Sequence, residues 1–105
     1  MIDAARVFAA LGDPTRRDMV ERLSARPMSV SALAEPYAMT LTAVGQHLAV
    51  LEAAGLVATQ KQGRVRTVEA ARPGLNTLRA WLDARRAPLE QDLDVLGRLL
   101  DEDSI

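Results

Sequence analysis

The side chains best suited to recognition chemistry lie in two short segments of this 105-residue chain. The first, residues 42–57, reads TAVGQHLAVLEAAGLV and places Gln46 beside the only histidine, His47. The second, residues 61–66, reads KQGRVR and holds Lys61, Arg64 and Arg66. A glutamine amide can bond adenine N6 and N7 together, and basic side chains bind phosphate. The two segments therefore favour contact with a nucleic acid.

A catalytic role finds little support in the residue types. The chain has no cysteine, which removes thiol nucleophiles, disulfides and zinc–thiolate sites. It also lacks a glycine-rich loop of the kind that cradles phosphates. His47 flanks an apolar helix face, where a histidine either packs and contacts a phosphate or only packs. We therefore expect no metal and no cofactor, and an enzyme is the least favoured function class.

Composition indicates one domain built mainly of packed helices. Hydrophobic residues make up 49% of the chain, but Phe8, Tyr37 and Trp81 are its only aromatic residues. The core must therefore come from leucine, valine and alanine. The sequence shows neither an N-terminal export signal nor an apolar run of about 20 residues, so we expect a cytoplasmic protein without a membrane span.

Charge is divided unevenly along the chain, although the formal net charge is only −1. Residues 90–105 carry six acidic groups and one basic group, whereas residues 1–89 carry twelve basic and eight acidic groups. A basic body is compatible with a polyanionic partner. Charge alone, however, favours reading the acidic end as a solvated helix end.

Two helices are predicted before the first segment. Residues 2–12 form the first, which Gly12 ends. Asp13 can cap the second, and Pro14 fits its first turn, where the missing N–H costs nothing. Arg26-Pro27 stops this second helix.

Two more helices follow, and both begin at hydroxyl residues. Ser29 or Ser31 opens a short third helix, and Thr40 or Thr42 caps a fourth. Glycine commonly follows the C-terminus of a helix, so Gly55 is expected to end the fourth helix. A short helix, a tight turn and a capped helix in succession predict a helix-turn-helix over about residues 29–55.

The fourth helix has two chemically different faces. Val44, Leu48 and Leu51 form the apolar face, and His47 flanks it. The opposite face is small and neutral, and it holds Thr42, Gly45, Gln46, Ala49 and Ala53. Such a surface can approach base edges without clashes, with Thr42 in reach of a base or a phosphate and Gln46 suited to adenine.

Residues 56–70 change to β-branched runs around a basic, glycine-containing tip, which predicts a hairpin. A basic hairpin directly after a helix-turn-helix is a wing. Pro73 then opens a long C-terminal helix over about residues 73–102, and Pro88 should kink or split it. Its leucine stripes are too extensive for one small domain to cover, so they favour a dimer seam.

The three segments LGDPTRRDMVERL, TAVGQHLAVLEAAGLV and KQGRVRTV resemble the ArsR/SmtB family of bacterial winged-helix repressors over roughly residues 4–82. The resemblance implies a mainly α fold with a small β-hairpin, dimerising through its first and last helices as one domain over residues 1–105. It also implies binding to an imperfect palindrome in a promoter. The chain departs from the family at Gly45, where serine is usual.

The resemblance and the cation pattern together give candidate site residues. Double-stranded DNA is expected to contact Thr40, Thr42, Ala43, Gln46, His47, Arg16, Arg17, Lys61, Arg64 and Arg66. The homodimer interface is expected to hold Phe8, Leu78, Trp81, Leu82, Leu89, Leu93 and Leu96. Metal-sensing members of the family carry a cysteine pair in the third helix or histidine and carboxylate ligands on the last helix, and persulfide-sensing members need two cysteines. This chain has no cysteine, and its last helix has no histidine.

Two alternatives remain open from the sequence. The chain could be a winged-helix module that binds protein instead of DNA, which would not need Gln46 or the wing cations. Within the DNA-binding class, a sensor that responds to a small-molecule effector and a constitutive repressor have the same sequence features.

Overall fold

The chain folds in the order α1 (Ala4–Leu11), α2 (Pro14–Ala25), β1 (Met28–Ser29), α3 (Val30–Ala34), α4 (Leu41–Ala53), β2 (Val57–Gln62), β3 (Val65–Ala70) and α5 (Arg72–Asp103). The structure is a computed structural model. It describes residues 2–103, apart from the side chains of residues 87, 92–95 and 101–103. This order confirms the predicted winged helix-turn-helix, in which α3 and α4 form the helix-turn-helix and β2 and β3 form the wing.

Side-chain caps begin all four helices before α5. Asp3 Oδ1 accepts a hydrogen bond from the backbone N–H of Ala5 at 3.1 Å, at the start of α1. Asp13 Oδ2 accepts a hydrogen bond from the backbone N–H of Arg16 at 3.0 Å, at the start of α2. Ser29 caps α3 and Thr40 caps α4, each through a bond of 3.1 Å. The sequence left two candidates for each of these caps. Ser29 and Thr40 are the caps, because Ser31 lies inside α3 and Thr42 lies inside α4.

The end of α4 follows the predicted glycine stop. Gly55 has a φ of +68°, a left-handed conformation that glycine adopts without steric cost. The N–H of Leu56 bonds the carbonyl of Leu51 at 2.9 Å, and the N–H of Gly55 bonds that of Glu52 at 3.0 Å. This pair of bonds is a Schellman motif, which satisfies two carbonyls that the helix end would leave without partners.

The sheet contains one strand more than the sequence predicts. The strand order is β1-β3-β2, and all pairs are antiparallel. In β1, Met28 pairs with Val68 and Ser29 with Thr67. This short strand anchors the wing to the base of the helix-turn-helix.

Aliphatic side chains from all of the helices before α5, together with the sheet, form the core. Its largest fully enclosed members are Val7, Met19, Leu33, Val44, Leu51, Leu56 and Val68. No aromatic ring belongs to this buried set, in agreement with the composition.

The C-terminal helix α5 runs without interruption from Arg72 to Asp103, with Pro88 inside it. The alternative in which Pro88 splits the helix is therefore wrong. Pro88 is exposed, so the carbonyl that loses its N–H partner at this turn can bond water. Within residues 2–103, no helix combines the length and the apolar character that a bilayer span requires.

Candidate nucleic-acid interface

The two faces of α4 are divided as the sequence predicts. Val44, Leu48 and Leu51 are buried against the core. The side chains of Thr42 and Gln46 are exposed, and Ala43 is half-buried between them and the core. A Cβ added at Gly45 would meet no atom within 4 Å, so packing does not require glycine at this position. The exposed face therefore lets a large flat partner approach the helix backbone closely.

The wing carries its cations on a tight hairpin. Gln62 pairs with Val65, which leaves Gly63 and Arg64 as a two-residue loop, and Gly63 has a φ of +62°. Glycine at the first position of such a loop is typical of a type II′ turn. Arg64 is exposed at the tip of the hairpin.

Lys61 and Arg66 lie directly opposite each other on the paired strands, and both are exposed. Like charges in this arrangement destabilise a hairpin. Arg66 Nη2 is 3.4 Å from Thr59 Oγ1, and the Thr59 hydroxyl donates to Glu52 on α4 at 3.1 Å. The wing is thus tied to α4 on one side and keeps an excess of positive charge near its tip.

The two arginines at the start of α2 are oriented towards the end of α1. Arg16 Nε donates to the carbonyl of Ala10 at 2.7 Å, and its Nη2 donates to that of Ala9 at 3.2 Å. Arg17 Nη1 donates to the carbonyl of Leu11 at 2.7 Å. The sequence placed these cations correctly at a helix start, but their bonds to the neighbouring helix could not be read from it.

His47 is half-buried, and its Nδ1 lies 3.3 Å from Nη1 of Arg16. Asp13 is close to the same pair. The hydrogen bond from the backbone N–H of Arg16, together with the charge of the Arg16 guanidinium, holds the pKa of the Asp13 carboxyl below its usual value. The histidine therefore belongs to a polar junction between helices and does more than fill space beside the core. Within the part of the chain that the structure describes, no three acidic or imidazole side chains cluster in a way that could hold a metal ion.

The residues predicted for a dimer interface form a largely exposed apolar surface along α1 and α5. Phe8 is 41% exposed and meets the Trp81 ring edge-to-face, with centroids 4.9 Å apart. Leu82, Leu89 and Leu96 are each more than half exposed. Leu78 differs from these residues, because it is half-buried against the core of its own chain. The side chain of Leu93 lies outside the described residues.

Comparisons with known proteins agree with this geometry. A family model described as a helix-turn-helix domain matches residues 11–60. The chain is 42% identical over 78 residues to the HTH-type transcriptional regulator Rv2034 of Mycobacterium tuberculosis, and the match covers 74% of this chain and 73% of that protein.

Solved structures show the same fold. The ArsR family transcriptional regulator RHA00566 is 38% identical with a TM-score of 0.78, over 86% of this chain and 97% of that one. The homodimeric winged helix-turn-helix DNA-binding domain Mb0332 of Mycobacterium bovis, a possible ArsR-family regulator, is 26% identical with a TM-score of 0.62, over 83% of this chain and 79% of that one. The chain therefore belongs to the ArsR family of DNA-binding, winged helix-turn-helix transcriptional regulators and is not an enzyme.

Proposed function

We propose that this regulator is a homodimeric repressor that binds an imperfect palindromic operator in a promoter. In this proposal α4 enters the major groove, and the wing follows the phosphates at the flank. The observation that carries it is the pairing of a small, neutral, exposed helix face with a cation-rich hairpin tied to that helix through Glu52 and Thr59. Its DNA partner puts the protein in the bacterial cytoplasm.

The exposed face of α4 supports direct reading of bases. The major groove is wide enough to admit an α-helix, and short side chains on the face that meets the bases let the helix approach them closely. Gln46 is exposed and can present its amide to an adenine, while the methyl group of Ala43 can contact a thymine methyl. Thr40 is occupied as the helix cap, so Thr42 is the hydroxyl residue better placed to reach the DNA.

The charge arrangement of the wing supports phosphate binding. Lys61 and Arg66 repel each other across the hairpin, and a hydrogen bond through the Thr59 hydroxyl links Arg66 to the carboxylate of Glu52. A phosphate between or beside these cations would relieve that repulsion. Arg64 at the tip can extend this contact towards the minor groove, where arginine is favoured.

Leucine spacing on α5 supports a two-fold dimer. Leu75, Leu82, Leu89 and Leu96 recur at intervals of seven residues and are all exposed in the single chain. A strict seven-residue repeat keeps one apolar seam facing a partner helix. Phe8 and Trp81 extend this seam onto α1.

Charge on α5 favours an antiparallel pairing of the two copies. Residues 72–88 carry four arginines and one aspartate, whereas residues 89–103 carry six carboxylates and one arginine. Two copies crossing near Leu89 would place each basic half against an acidic half of the other. A two-fold dimer presents two recognition helices, which is the reason for expecting a palindrome with half-sites about one helical turn apart.

Selection from a pool of random duplexes tests this function and identifies the operator in the same experiment. The full chain should enrich a two-fold symmetric sequence and bind it at least about 10³-fold more tightly than a scrambled duplex in fluorescence anisotropy. Weak, equal binding to both duplexes would contradict the proposal and favour a protein-binding module. Repression is then measured with a reporter promoter that contains the selected sequence, and activation of that promoter would contradict the repressor role.

Replacing Gln46 by alanine should weaken binding to the selected duplex by about 1–3 kcal/mol and leave binding to scrambled DNA nearly unchanged. The reason is that the amide contributes bonds to one particular base pair. Duplexes that vary one base pair at a time should show that discrimination is lost at a single position in each half-site. Equal losses on both duplexes would remove Gln46 from base reading.

Replacing Arg64 by alanine should weaken binding to every duplex by a similar factor. Each phosphate contact that is lost should reduce the slope of log K against log salt by about 0.9. Anisotropy titrations at several salt concentrations measure this slope, and Glu69→Ala on the same hairpin is a control that removes an exposed charge of the opposite sign. An unchanged slope in the Arg64 variant would exclude the wing tip from phosphate binding.

A further inference from the structure

One side chain, Arg16, joins three helices. It lies on α2, donates through Nε and Nη2 to the last carbonyls of α1, and brings Nη1 within 3.3 Å of His47 Nδ1 on α4. Carbonyls at a helix C-terminus lack intrahelical partners and carry partial negative charge, so a guanidinium stabilises them. The half-buried position of Arg16 indicates that this arrangement is built into the fold.

The contact also fixes the state of the imidazole. A guanidinium only donates hydrogen bonds, so His47 Nδ1 must accept, and the ring proton then sits on Nε2. The ring orientation is set in this way by a partner on another helix. Because Gln46 directly precedes His47 on α4, any rotation or shift of α4 that breaks this bond also moves the amide that is proposed to read a base.

Arg16 lies between the proposed dimer surface on α1 and α5 and the proposed DNA-binding surface on α4. On one side, Ala9 and Ala10 directly follow Phe8, which packs against Trp81 on α5 at 4.9 Å. On the other side, His47 belongs to the recognition helix. The neighbouring Arg17 is exposed, and the bond it makes within the described residues is to Leu11 at the end of α1.

We propose that Arg16 is a positioning residue for specific DNA recognition: through His47 it fixes α4 against α1, so that Gln46 meets its base in the correct orientation. This inference rests on the proposed operator binding. The sequence suggested a phosphate contact as the main role of Arg16, and positioning of α4 takes the place of that role. Arg17, which does not join α1 to α4, keeps the phosphate role.

The test uses the ratio of the affinities for the selected and the scrambled duplex, measured for Arg16→Lys, His47→Ala, His47→Asn and the Arg16→Lys/His47→Ala double variant. Lysine keeps the charge, but it cannot bond two carbonyls and an imidazole in one plane. We expect Arg16→Lys to lower the ratio about tenfold with an unchanged salt slope. His47→Asn should keep the wild-type ratio, since its amide oxygen can lie where Nδ1 does.

The double variant tests whether Arg16 changes the affinity ratio through its bond to His47. We expect its ratio to equal that of Arg16→Lys alone, since both changes break the same bond. A general loss of stability would lower the affinities for both duplexes together and leave the ratio unchanged. Arg17→Ala is the matched control, and it should flatten the salt slope without changing the ratio.

Two results would overturn the inference while leaving the proposed function intact. One is a wild-type ratio for Arg16→Lys, as expected if Arg16 simply contacts phosphate. The other is a double variant whose loss is the product of the two single losses. Equal affinity of the wild-type protein for both duplexes would instead overturn the proposed function, and this inference with it.

Discussion

A Leu89→Glu variant is expected to be monomeric and to bind the selected operator about 10²- to 10⁴-fold more weakly than the wild type. Leu89 is 62% exposed in the single chain, so the substitution should not disturb the fold of the subunit. In the proposed antiparallel pairing it lies near the two-fold axis, where two glutamates would meet in a seam without water. The monomer then loses the gain from binding two half-sites at once. Sedimentation equilibrium and anisotropy on the same samples measure both effects.

Gln91→Glu is the matched control for this prediction. It introduces the same side chain two residues further along α5, at an exposed position on the opposite side of the helix from Leu89. We expect Gln91→Glu to remain dimeric and to bind the operator as the wild type does. A dimeric Leu89→Glu protein with full affinity would contradict the α5 seam. Loss of the dimer in both variants would mean that total acidic charge, and not the apolar surface, controls association.

Local signals were sufficient to predict most helices. Asp13 with Pro14, and Thr40 before an apolar run, mark the starts of α2 and α4, and the structure has caps at both residues. Gly55 marks the end of α4 and has the expected left-handed conformation. These features depend on neighbours within a few residues, and for that reason a single sequence contains them.

Features that depend on distant pairing could not be predicted. Strand β1 has two residues, too few for any periodic pattern, and it exists because Val68 and Thr67 lie beside it in the folded chain. The alternative in which Pro88 splits α5 assumed that the lost hydrogen bond would break the helix. In the fold the surrounding turns continue on both sides of this exposed residue.

The candidate site shows the same division. The residue types and the exposed face of α4 follow from the sequence, because helical spacing determines which side chains share a face. The partners of Arg16 do not, because Ala9, Ala10 and His47 come from two other helices. Leu78 illustrates the reverse case: it belongs to an apolar stripe on α5, yet the fold buries part of it in its own core.

A close contact between Gly74 and Gly55, where the start of α5 meets the end of α4, could not be predicted from the sequence. The N–H of Gly74 donates to the carbonyl of Gly55 at 2.7 Å, which brings the start of α5 against the end of α4. A Cβ on Gly74 would overlap the carbonyl oxygen of Ala54 and lie 2.9 Å from the carbonyl carbon of Gly55. Glycine is a poor helix former, so a glycine directly after Pro73, in the first turn of α5, was the available signal of a close approach.

Gly74→Ala is therefore expected to lower the free energy of unfolding by about 2–4 kcal/mol. The atoms that the new methyl group meets belong to the backbone, and they follow directly after the buried Leu51 turn of α4. Relieving this overlap therefore requires a shift at the end of α4. Thermal unfolding at a fixed protomer concentration should show a midpoint roughly 10–30 °C below that of the wild type.

Gly45→Ala is the control, because it makes the same chemical change where a Cβ meets no atom within 4 Å. In the interior of α4 it should raise stability by up to about 1 kcal/mol. Opposite signs for the two variants would establish that contact with the α4 terminus, and not glycine replacement as such, causes the loss. A Gly74→Ala protein as stable as the wild type would mean that α5 can start further from α4, so that the contact between Gly74 and Gly55 does not fix the direction of the proposed dimer helix. Operator affinity is then measured for the stable Gly45→Ala protein. Because the added methyl group meets no atom of the protein, a weaker affinity would be caused by its clash with the DNA.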